Sequence, residues 1–486
     1  MDRRQFIRGA GIGLALWHTT GCNSEFSKLG HPRKPNIVLI YTDDLGYCEV
    51  GCYGQKKIQT PNIDRLCAEG IKFTNHYSGS AVCAPARCCL MTGRHGGHAF
   101  VRDNYEVGGW ETYNGQLPLP AETVTIASML KNRGYKTAAF GKWGLGAMDS
   151  TGNPLNQGFD RFFGYNCQRH AHNLYPQYLI DDNEHRLLKE NAPGQSPQQY
   201  APQVIADEML DWIRAHKDKP FFVYYPTVLP HLPLQVPQTY IDQYKNQWSE
   251  TPYVGQSYVP HPTPRAAYAA MISFMDEQVG RILQKLKELG LDKDTVVFFS
   301  SDNGTTHLGP DQVDFEFFES VGQLRGLKGS LDEGGIRVPM IVRWPGKIKP
   351  GTVSDHISAQ YDILATLGDL ADIPVSSDTD SISFLPTLLS KESSQKQHAY
   401  LFWDFAGYGG QLAVRMGRWK GIKRNLKKNP NNPLELYDLE NDISEQHNLA
   451  KEYPKVAQEI EEIMQTARTK PVIEQFQFGN YQDTNN

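Results

Sequence analysis

The chain has 486 residues, of which 40% are hydrophobic and 21% charged, and its 49 basic and 54 acidic side chains give a formal net charge of −5. This length predicts one large core with a smaller second domain. The charges show no long like-charged runs, which excludes a dedicated surface for nucleic acid or acidic lipid, so any preference for anions must be local.

The first residues are typical of a bacterial export signal. A pair of arginines and Phe6 precede a weakly apolar stretch over 9–17, which is too short to span a bilayer. This pattern indicates the twin-arginine route, and Thr-Gly-Cys at 20–22 resembles a lipoprotein box, although Thr19 stands where leucine is usual. We expect residues 1–30 to be a signal and linker, the protein to reach the periplasm or cell surface, and a lipid on Cys22 to be its only membrane anchor. An ordinary disordered terminus is the alternative.

Eight cysteines are present, and none of them shows a zinc pattern. Cys48 and Cys52, like Cys88 and Cys89, lack the paired partners that such a site needs. Six cysteines remain when Cys22 and the residue at 83 are set aside. Some of the six could form disulfides after export, but buried thiols are the more common outcome.

Two apolar, β-branched runs predict buried strands that end in acidic residues. Residues 36–42 lead into Asp43 and Asp44, and residues 295–301 lead into Asp302 and Asn303. Shorter strands are predicted over 136–140, 221–225 and 338–343.

The clearest helical pattern covers 265–289 and stops at Gly290. Strands that alternate with helices predict an α/β fold with a large, mostly parallel sheet, helices on both faces and a ligand site at the carboxyl ends of the strands. A polar stretch over 391–396 separates a first domain, 31–390, from a smaller α+β domain, 397–486. In the smaller domain we expect antiparallel strands over 398–405 and 410–423 and a closing helix over 453–468.

The sharpest motif is Cys-Ala-Pro-Ala-Arg at 83–87, followed by Thr-Gly-Arg at 92–94. Pro85 suits the first turn of a helix, so Cys83 is predicted at a helix N-terminus, where free N–H groups and the helix dipole favour an anion. Arg87, one turn later, would offer fixed donors to the same point. The plain alternative is an inert buried thiol.

Asp43, Asp44, Asp302 and Asn303 form a second group. Oxygen ligands on two strand ends suit a hard divalent cation, and three carboxylates with one amide suit calcium better than zinc. Asp43 and Asp44 could instead serve as a turn or a helix cap, but that reading leaves the matching Asp302-Asn303 pair unexplained.

Together these motifs resemble the formylglycine-dependent sulfatases of the alkaline-phosphatase superfamily, whose signature is Cys-x-Pro-x-Arg followed by Thr-Gly-Arg. Further family motifs appear in the expected order from Asp43 to Pro339. The resemblance implies an alkaline-phosphatase-like fold and conversion of Cys83 to formylglycine by a maturation enzyme. It also implies one Ca²⁺ bound by Asp43, Asp44, residue 83, Asp302 and Asn303. Related phosphatases and phosphonate hydrolases tend to carry His where Asn303 stands.

The resemblance also implies a set of basic catalytic residues. Gly-Lys-Trp at 141–143 and Arg-Gly-Leu-Lys-Gly at 325–329 match family motifs, which implies that Lys142 and Lys328 bind sulfate oxygens beside Arg87. Pro-His-Leu-Pro at 230–233 matches another, which implies that His231 lies near the leaving oxygen. Any one of these alone is more often a solvated lysine or a core histidine.

One position departs from the family pattern. Many members read Gly-Lys-Trp-His-Leu-Gly, and their His holds the formylglycine hydroxyl, whereas here Gly144 occupies that position. His170 or His172, in the string Cys-Gln-Arg-His-Ala-His at 167–172, could replace the imidazole or bind sugar; the alternative is a plain surface loop. We also assign Arg94 and Arg169 to substrate binding.

The resemblance implies hydrolysis of sulfate esters. The hydrated aldehyde attacks sulfur with one oxygen, and its second hydroxyl then expels sulfate. We expect a sulfated carbohydrate substrate, namely galactose or N-acetylgalactosamine sulfate, with the 4-position favoured over the 6-position. The alternatives are a formylglycine-dependent phosphodiester or phosphonate hydrolase and a non-catalytic binder of sulfated glycans.

Overall fold

The apolar run at 36–42 forms the central strand of a ten-stranded sheet in the computed structural model of this protein. The structure describes residues 34–107, 116–194, 196–255, 257–306 and 313–481. Within these ranges the strands are β1 (Asn36–Asp43), β2 (Ile71–Phe73), β3 (His76–Tyr77), β4 (Lys136–Lys142), β5 (Arg161–Tyr165), β6 (Tyr178–Asp181), β7 (Glu184–Leu187), β8 (Phe221–Pro230), β9 (Thr295–Ser301), β10 (Met340–Arg343), β11 (Thr352–Ser354), β12 (Ser358–Ala359), β13 (Leu401–Phe405), β14 (Gln411–Met416), β15 (Trp419–Lys423) and β16 (Glu435–Asp438).

The large sheet has the order β11-β2-β10-β9-β1-β8-β4-β5-β6-β7. Its centre, from β9 through β1, β8 and β4 to β5, is parallel, whereas β10, β6 and β7 join antiparallel to their neighbours. The prediction of a mostly parallel sheet flanked by helices is therefore confirmed. The antiparallel edge strands β6 and β7 escaped prediction because they are short, and β7 is exposed along its whole length.

Strand β1 shows how the sheet is covered on both faces. Alternate side chains of a strand point to opposite faces. Val38 and Ile40 pack in one core with Met271, while Ile37 and Leu39 pack in a second core on the other face. All eight residues of β1 are buried, which explains why the strand reads as a continuous apolar run rather than an alternating one.

The helices supply these two covering layers. In the described residues they are α1 (Pro61–Ala68), α2 (Cys83–Thr92), α3 (Ile126–Asn132), α4 (Ala201–Ala215), α5 (Gln238–Ile241), α6 (Pro264–Glu288), α7 (Glu333–Ile336), α8 (Asp362–Leu370), α9 (Leu385–Leu388) and α10 (Pro454–Thr466). Helix α6 matches the predicted helix to within one residue at each end, and its Met271 lies in the core that holds Val38.

The C-terminal part contains a four-stranded antiparallel sheet, β13-β14-β15-β16, with α10 packed against β14. The predicted strands and closing helix are confirmed, and β16 is an additional short strand. From Lys34 onward the chain forms one compact unit. The predicted boundary near residues 391–396 stays a prediction.

The predicted export signal and the proposed lipid on Cys22 lie outside the described residues. Among the helices that the structure describes, none is both long enough and apolar enough to cross a membrane.

Candidate active site

The carboxyl ends of three adjacent parallel strands bring the predicted residues together. In the register of the sheet, Thr42 pairs with Ser301 and Asp43 pairs with Pro230. Asp43 therefore lies level with the start of Asp302-Asn303 on one side and with His231 on the other. This is the edge at which open α/β sheets hold their ligands.

Helix α2 places Cys83 against this edge. Cys83 is the first residue of the helix, after extended Val82, and the helix ends at Gly93, whose φ of 66° closes it in the left-handed conformation. The N–H of Ala84 donates to Asn104 Oδ1 at 2.9 Å. The prediction that residue 83 begins a helix is confirmed, and Cys83 Sγ lies 3.4 Å from Asp43 Oδ1.

Three cations surround the carboxylates of β1. Lys142 Nζ donates to Asp43 Oδ2 at 2.6 Å, and Lys328 Nζ donates to Asp44 Oδ2 at 2.7 Å. Arg87, which is fully buried, donates to Asp302 Oδ2 at 2.9 Å, to Asp43 Oδ2 at 3.3 Å and to the Lys142 carbonyl. Its guanidinium therefore joins β1, β4 and the end of β9. We call Asp43, Asp44, Asp302, Asn303, Arg87, Lys142 and Lys328 the strand-end cluster.

Burial and crowding shift the acid–base properties of this cluster. Burial together with the Asp43 carboxylate raises the pKa of the Cys83 thiol to about 12, so a thiolate is disfavoured at neutral pH. Burial and the Asp43 charge also raise the pKa of Asp302 to about 7. Burial acts in the same direction on Asp43, but Lys142, His231 and Arg87 outweigh it and lower the pKa of that carboxyl.

The cluster fits a hard cation. Asp44 has a φ of 63°, an uncommon left-handed conformation for a residue other than glycine. Asn303 Nδ2 donates to Asp44 Oδ1 at 2.7 Å, while Asn303 Oδ1 is buried and has no hydrogen-bond partner among the described residues. Ligand atoms of Asp43, Asp44, Cys83 and His231 all lie within 4.8 Å of one another. A buried acceptor without a donor, next to three carboxylates, suits an oxygen-coordinated divalent ion.

His231 and His172 line the same cavity as Cys83. His231 Nδ1 lies 2.6 Å from the Leu232 carbonyl, to which it donates, so Nε2 faces the cluster, 3.5 Å from Asp44 Oδ2. His172 stacks on His231 with ring centroids 5.0 Å apart, and Tyr258 meets both rings edge-on. Burial and the nearby lysine charges lower the pKa of His231 well below its ordinary value.

The other predicted substrate-binding residues are dispersed. His170 packs between Tyr165 and Tyr178, away from the residues that line the cavity at Cys83. Arg169 pairs with Glu106 at 3.1 Å and so borders that cavity. Arg94 follows the opposite end of α2, about 15 Å from its start, and lines a separate cavity of about 630 Å³. The structure therefore does not bring Arg94 to the strand-end cluster.

Four residues at the site were not predicted, namely Asn104, Glu106, Gln116 and Gln168. They lie in irregular segments without a periodic pattern, although Gln168 belongs to the string at 167–172 that was singled out for its histidines. A small cavity of about 50 Å³ at the cluster is lined by Cys83, Asn104, Glu106, Gln116, Gln168, His172 and His231.

Comparison with known proteins agrees with this geometry. The sulfatase family model matches residues 35–373, and a model for the C-terminal part of N-sulphoglucosamine sulphohydrolase matches residues 328–470. The chain is 29% identical to an N-acetylgalactosamine-6-O-sulfatase of Bacteroides thetaiotaomicron, over 94% of this chain and 98% of that protein. It is 31% identical to human arylsulfatase A, over 89% of this chain and 87% of that protein.

A solved structure shares both sequence and fold with the chain. The crystal structure of Ps i-CgsB in complex with k-i-k-neocarrahexaose is 27% identical, with a TM-score of 0.74 over 89% of this chain and 92% of that one. The family model covers well over half of the chain and includes every residue of the strand-end cluster. The chain therefore belongs to the sulfatase family and is a sulfuric ester hydrolase.

Proposed function

We propose that this protein removes sulfate from galactose-type carbohydrates, using formylglycine made from Cys83 and one bound Ca²⁺. The observation that carries the proposal is the meeting of Cys83, at the start of a helix, with three carboxylates and three cations in one buried pocket. Sulfate is a compact anion, and a helix N-terminus flanked by Arg87, Lys142 and Lys328 is suited to it.

Residue 83 is the nucleophile in this proposal. Formylglycine supplies an oxygen nucleophile there, which the buried thiol with its raised pKa does not. Asp43 Oδ1, 3.4 Å from the Cys83 Sγ, is placed to accept a proton or hydrogen bond from the atom that replaces sulfur. Arg87 anchors that carboxylate and keeps it aligned.

The cations stabilise the charge of the transferring group. Lys142 pairs with Asp43 and Lys328 with Asp44, and both charges lie close enough to residue 83 to act on its thiol. Fixed cations in a pocket without free water are worth more than the same charges in solution, and removing one such donor typically costs about 10²–10³ in kcat.

His231 serves the leaving oxygen. Its Nδ1 donates to the Leu232 carbonyl, and the lowered pKa leaves Nε2 without a proton in the substrate-free site. Nε2 would therefore take up a proton when the anionic ester binds and then pass it to the departing alcohol. The stacking of His231 on His172 fixes the orientation of the ring. We assign His172 to holding His231 and to contacting the sugar.

Asp43, Asp44, Asp302 and Asn303 would bind the calcium ion. Asn303 Oδ1 is the acceptor that the described protein groups leave unpaired, and the carboxylates supply the remaining charge. Bound there, the ion supplies charge stabilisation to the sulfate oxygens.

The sugar and the position of its sulfate are the least constrained part of the proposal. The sequence favours the 4-position, but two of the relatives are an N-acetylgalactosamine-6-O-sulfatase and an N-acetylgalactosamine-6-sulfatase, which supports the 6-position instead. Glu106 and Arg169, paired at the rim of the cavity, are the charged groups placed to read sugar hydroxyls.

Mass spectrometry of the peptide that contains residue 83, from protein produced in a host with a maturation enzyme, tests the nucleophile. We expect the aldehyde mass together with sulfate release. An intact thiol in active protein would contradict the assignment.

Substrate class is tested by comparing sulfate release from the 4-sulfate and the 6-sulfate of N-acetylgalactosamine, with an aryl phosphate as control. We expect faster release from the 6-sulfate and slow turnover of the phosphate. A preference for the phosphate would favour the hydrolase alternative.

A further inference from the structure

Two cysteines outside the strand-end cluster lie on neighbouring helical segments. Cys52 belongs to a short 3₁₀ helix, Gly51–Tyr53, and Cys67 is the last residue but one of α1. The two segments pack together, and both cysteine side chains are half-buried against the core that contains Val38. Neither thiol has a role in the proposed function.

The backbone of Cys52 is fixed against α1. Its N–H donates to Asp64 Oδ1 at 2.7 Å, and Asp64 lies one turn before Cys67 on the same face of the helix. Gly51 permits this close approach, because a Cβ atom built there would lie 2.3 Å from Asp64 Oδ2. The Cys52 carbonyl accepts from Lys72 Nζ at 2.9 Å. Cys52 is therefore held beside α1 without any covalent link.

The two thiols hydrogen bond to each other. This bond raises the pKa of Cys52 and lowers the pKa of Cys67, so the proton stays on Cys52 and Cys67 ionises first. The Lys72 ammonium lowers the pKa of Cys67 further. A thiolate in contact with a second thiol is the arrangement from which a disulfide forms.

We propose that Cys52 and Cys67 form a disulfide bond when the folded protein meets a disulfide oxidant. The inference does not depend on the proposed function. The bacterial periplasm, where we expect the protein, supplies such oxidants, as does oxidised glutathione in the test tube.

The reaction is a thiol–disulfide exchange in two steps. The Cys67 thiolate attacks one sulfur of the oxidant and expels the other as a thiolate, which leaves a mixed disulfide. Cys52 then loses its proton and attacks Cys67 Sγ, which expels the remaining sulfur of the oxidant. Two thiols of the protein are oxidised, one disulfide of the oxidant is reduced, and the two protons pass to its two thiolates.

The bond would tether the segment that follows the strand-end carboxylates. Strand β1 ends at Asp43, and residues 44–51 lead from there to Cys52. A link from Cys52 to α1 restricts this segment in the unfolded chain and stabilises the folded one, as disulfides that close short loops generally do.

Mass spectrometry of the full-length protein tests the link. The protein is incubated with oxidised and reduced glutathione, alkylated under denaturing conditions without reduction, and digested. We expect a pair of peptides joined through Cys52 and Cys67, with the summed mass of the two reduced peptides less two hydrogens. Cys48 is the internal control, because it is also half-buried and its pKa is raised to about 11 by burial and Glu49. We expect it to be alkylated.

Thermal unfolding with and without a phosphine reductant tests the effect of the link on stability. The readout is the difference between the two midpoints of one variant, which cancels the effect of the substitution itself. We expect the reductant to lower the midpoint of the parent by a few degrees. Cys48→Ser should keep this difference, whereas Cys52→Ser and Cys67→Ser should each lose it.

Complete alkylation of both Cys52 and Cys67 after oxidation would overturn the inference, and so would a bond from either residue to a different cysteine. A midpoint difference that persists in Cys52→Ser would also contradict it, because the reductant would then act elsewhere in the chain. The peptide analysis uses the parent protein, so it decides the question even if one of the serine variants does not fold.

Discussion

Among the groups of charged side chains that are buried in the described residues, two differ in how completely the chain supplies their partners. The second group lies where the C-terminal sheet meets α7, and we call it the Glu333 cluster: Glu333, Lys420, Glu445 and Arg337. Lys420 Nζ lies 2.8 Å from Glu333 and 2.9 Å from Glu445, and the other Glu333 oxygen accepts from Tyr77 and Arg337.

The strand-end cluster is built differently. Its cations are paired, but the Asn303 carbonyl oxygen is left without a donor among the described residues, and the pKa of Asp302 is raised by burial and by the neighbouring carboxylates. In the Glu333 cluster, Lys420 and Arg337 outweigh burial and lower the pKa of Glu333 to about 2, while burial raises the pKa of Glu445 to about 7. Buried charge and shifted pKa values are therefore common to both clusters, and the strand-end cluster is distinguished, within the described residues, by the unpaired Asn303 carbonyl oxygen next to three carboxylates and Cys83.

The largest expected effect is a loss of catalysis without a loss of folding. Cys83→Ala should abolish sulfate release, because residue 83 is the proposed nucleophile, and should leave the fold intact, since alanine suits the start of a helix. Activity on an aryl sulfate and the thermal midpoint are the measurements. Appreciable turnover by the variant would contradict the nucleophile assignment.

Removing a carboxylate should release the calcium ion that we propose for the strand-end cluster. Asp302→Ala and Asp43→Ala are each expected to lose both calcium and activity, because too little negative charge remains to hold the ion. Elemental analysis of the purified variants gives the calcium content. Full stoichiometry in both would place the metal elsewhere.

A matched pair of lysine variants compares the two clusters directly. Lys420→Met should lower the free energy of unfolding by about 3–5 kcal/mol, because it leaves Glu445 and one oxygen of Glu333 without their buried cation. Lys142→Met should lower kcat/KM on an aryl sulfate by about 10²–10³, with a smaller loss of stability, because Arg87 also pairs with Asp43. Denaturant unfolding measures the stability of each variant, and kinetics on an aryl sulfate measure its kcat/KM.

The reverse distribution of stability and activity between these two variants would contradict the contrast between the clusters. A Lys420→Met protein that is stable but inactive would make the Glu333 cluster functional, and a Lys142→Met protein that is unstable but active would make Lys142 structural.

The smallest expected effect concerns a buried imidazole outside both clusters. Burial, with a contribution from His356, lowers the pKa of His76 to about 3. Because the unfolded chain takes up this proton first, stability is lost as the pH falls from about 6.5 towards the folded value. Between pH 7 and 5 His76 should account for about 2 kcal/mol of lost stability, and His76→Gln should show a shallower decline. Parallel pH profiles would contradict this.

The sequence predicts Asp43, Asp44, Asp302 and Asn303 of the strand-end cluster because they directly follow apolar runs, whereas Lys142 and Lys328 were assigned only through the resemblance to the sulfatases. Asp43 and Asp302 terminate β1 and β9, and a parallel pairing of those strands suffices to bring them together. The Glu333 cluster could not be predicted in this way, since Lys420 and Glu333 are 87 residues apart and neither ends a periodic element that points to the other.

Gln168 and Glu106 were missed for the same reason. Both lie in irregular segments, where the backbone follows tertiary contacts rather than a local pattern. Gln168 owes its position to the short strand β5 and to the absence of a side chain at Gly144. The absence of a side chain at Gly144 could be interpreted only once the structure showed that the Gln168 amide occupies that space.

The burial of residue 83 limits when it can be modified. Cys83 is 1% exposed, and as the first residue of the buried helix α2 it packs against Asp43 at the end of β1, so another enzyme cannot reach the peptide around it in the folded protein. Conversion to formylglycine, as we propose it, therefore has to precede closure of the sheet. We further propose that the arginine pair at 3–4 directs export of the folded chain; on that proposal the maturation enzyme would have to act in the cytoplasm, on the nascent or unfolded chain.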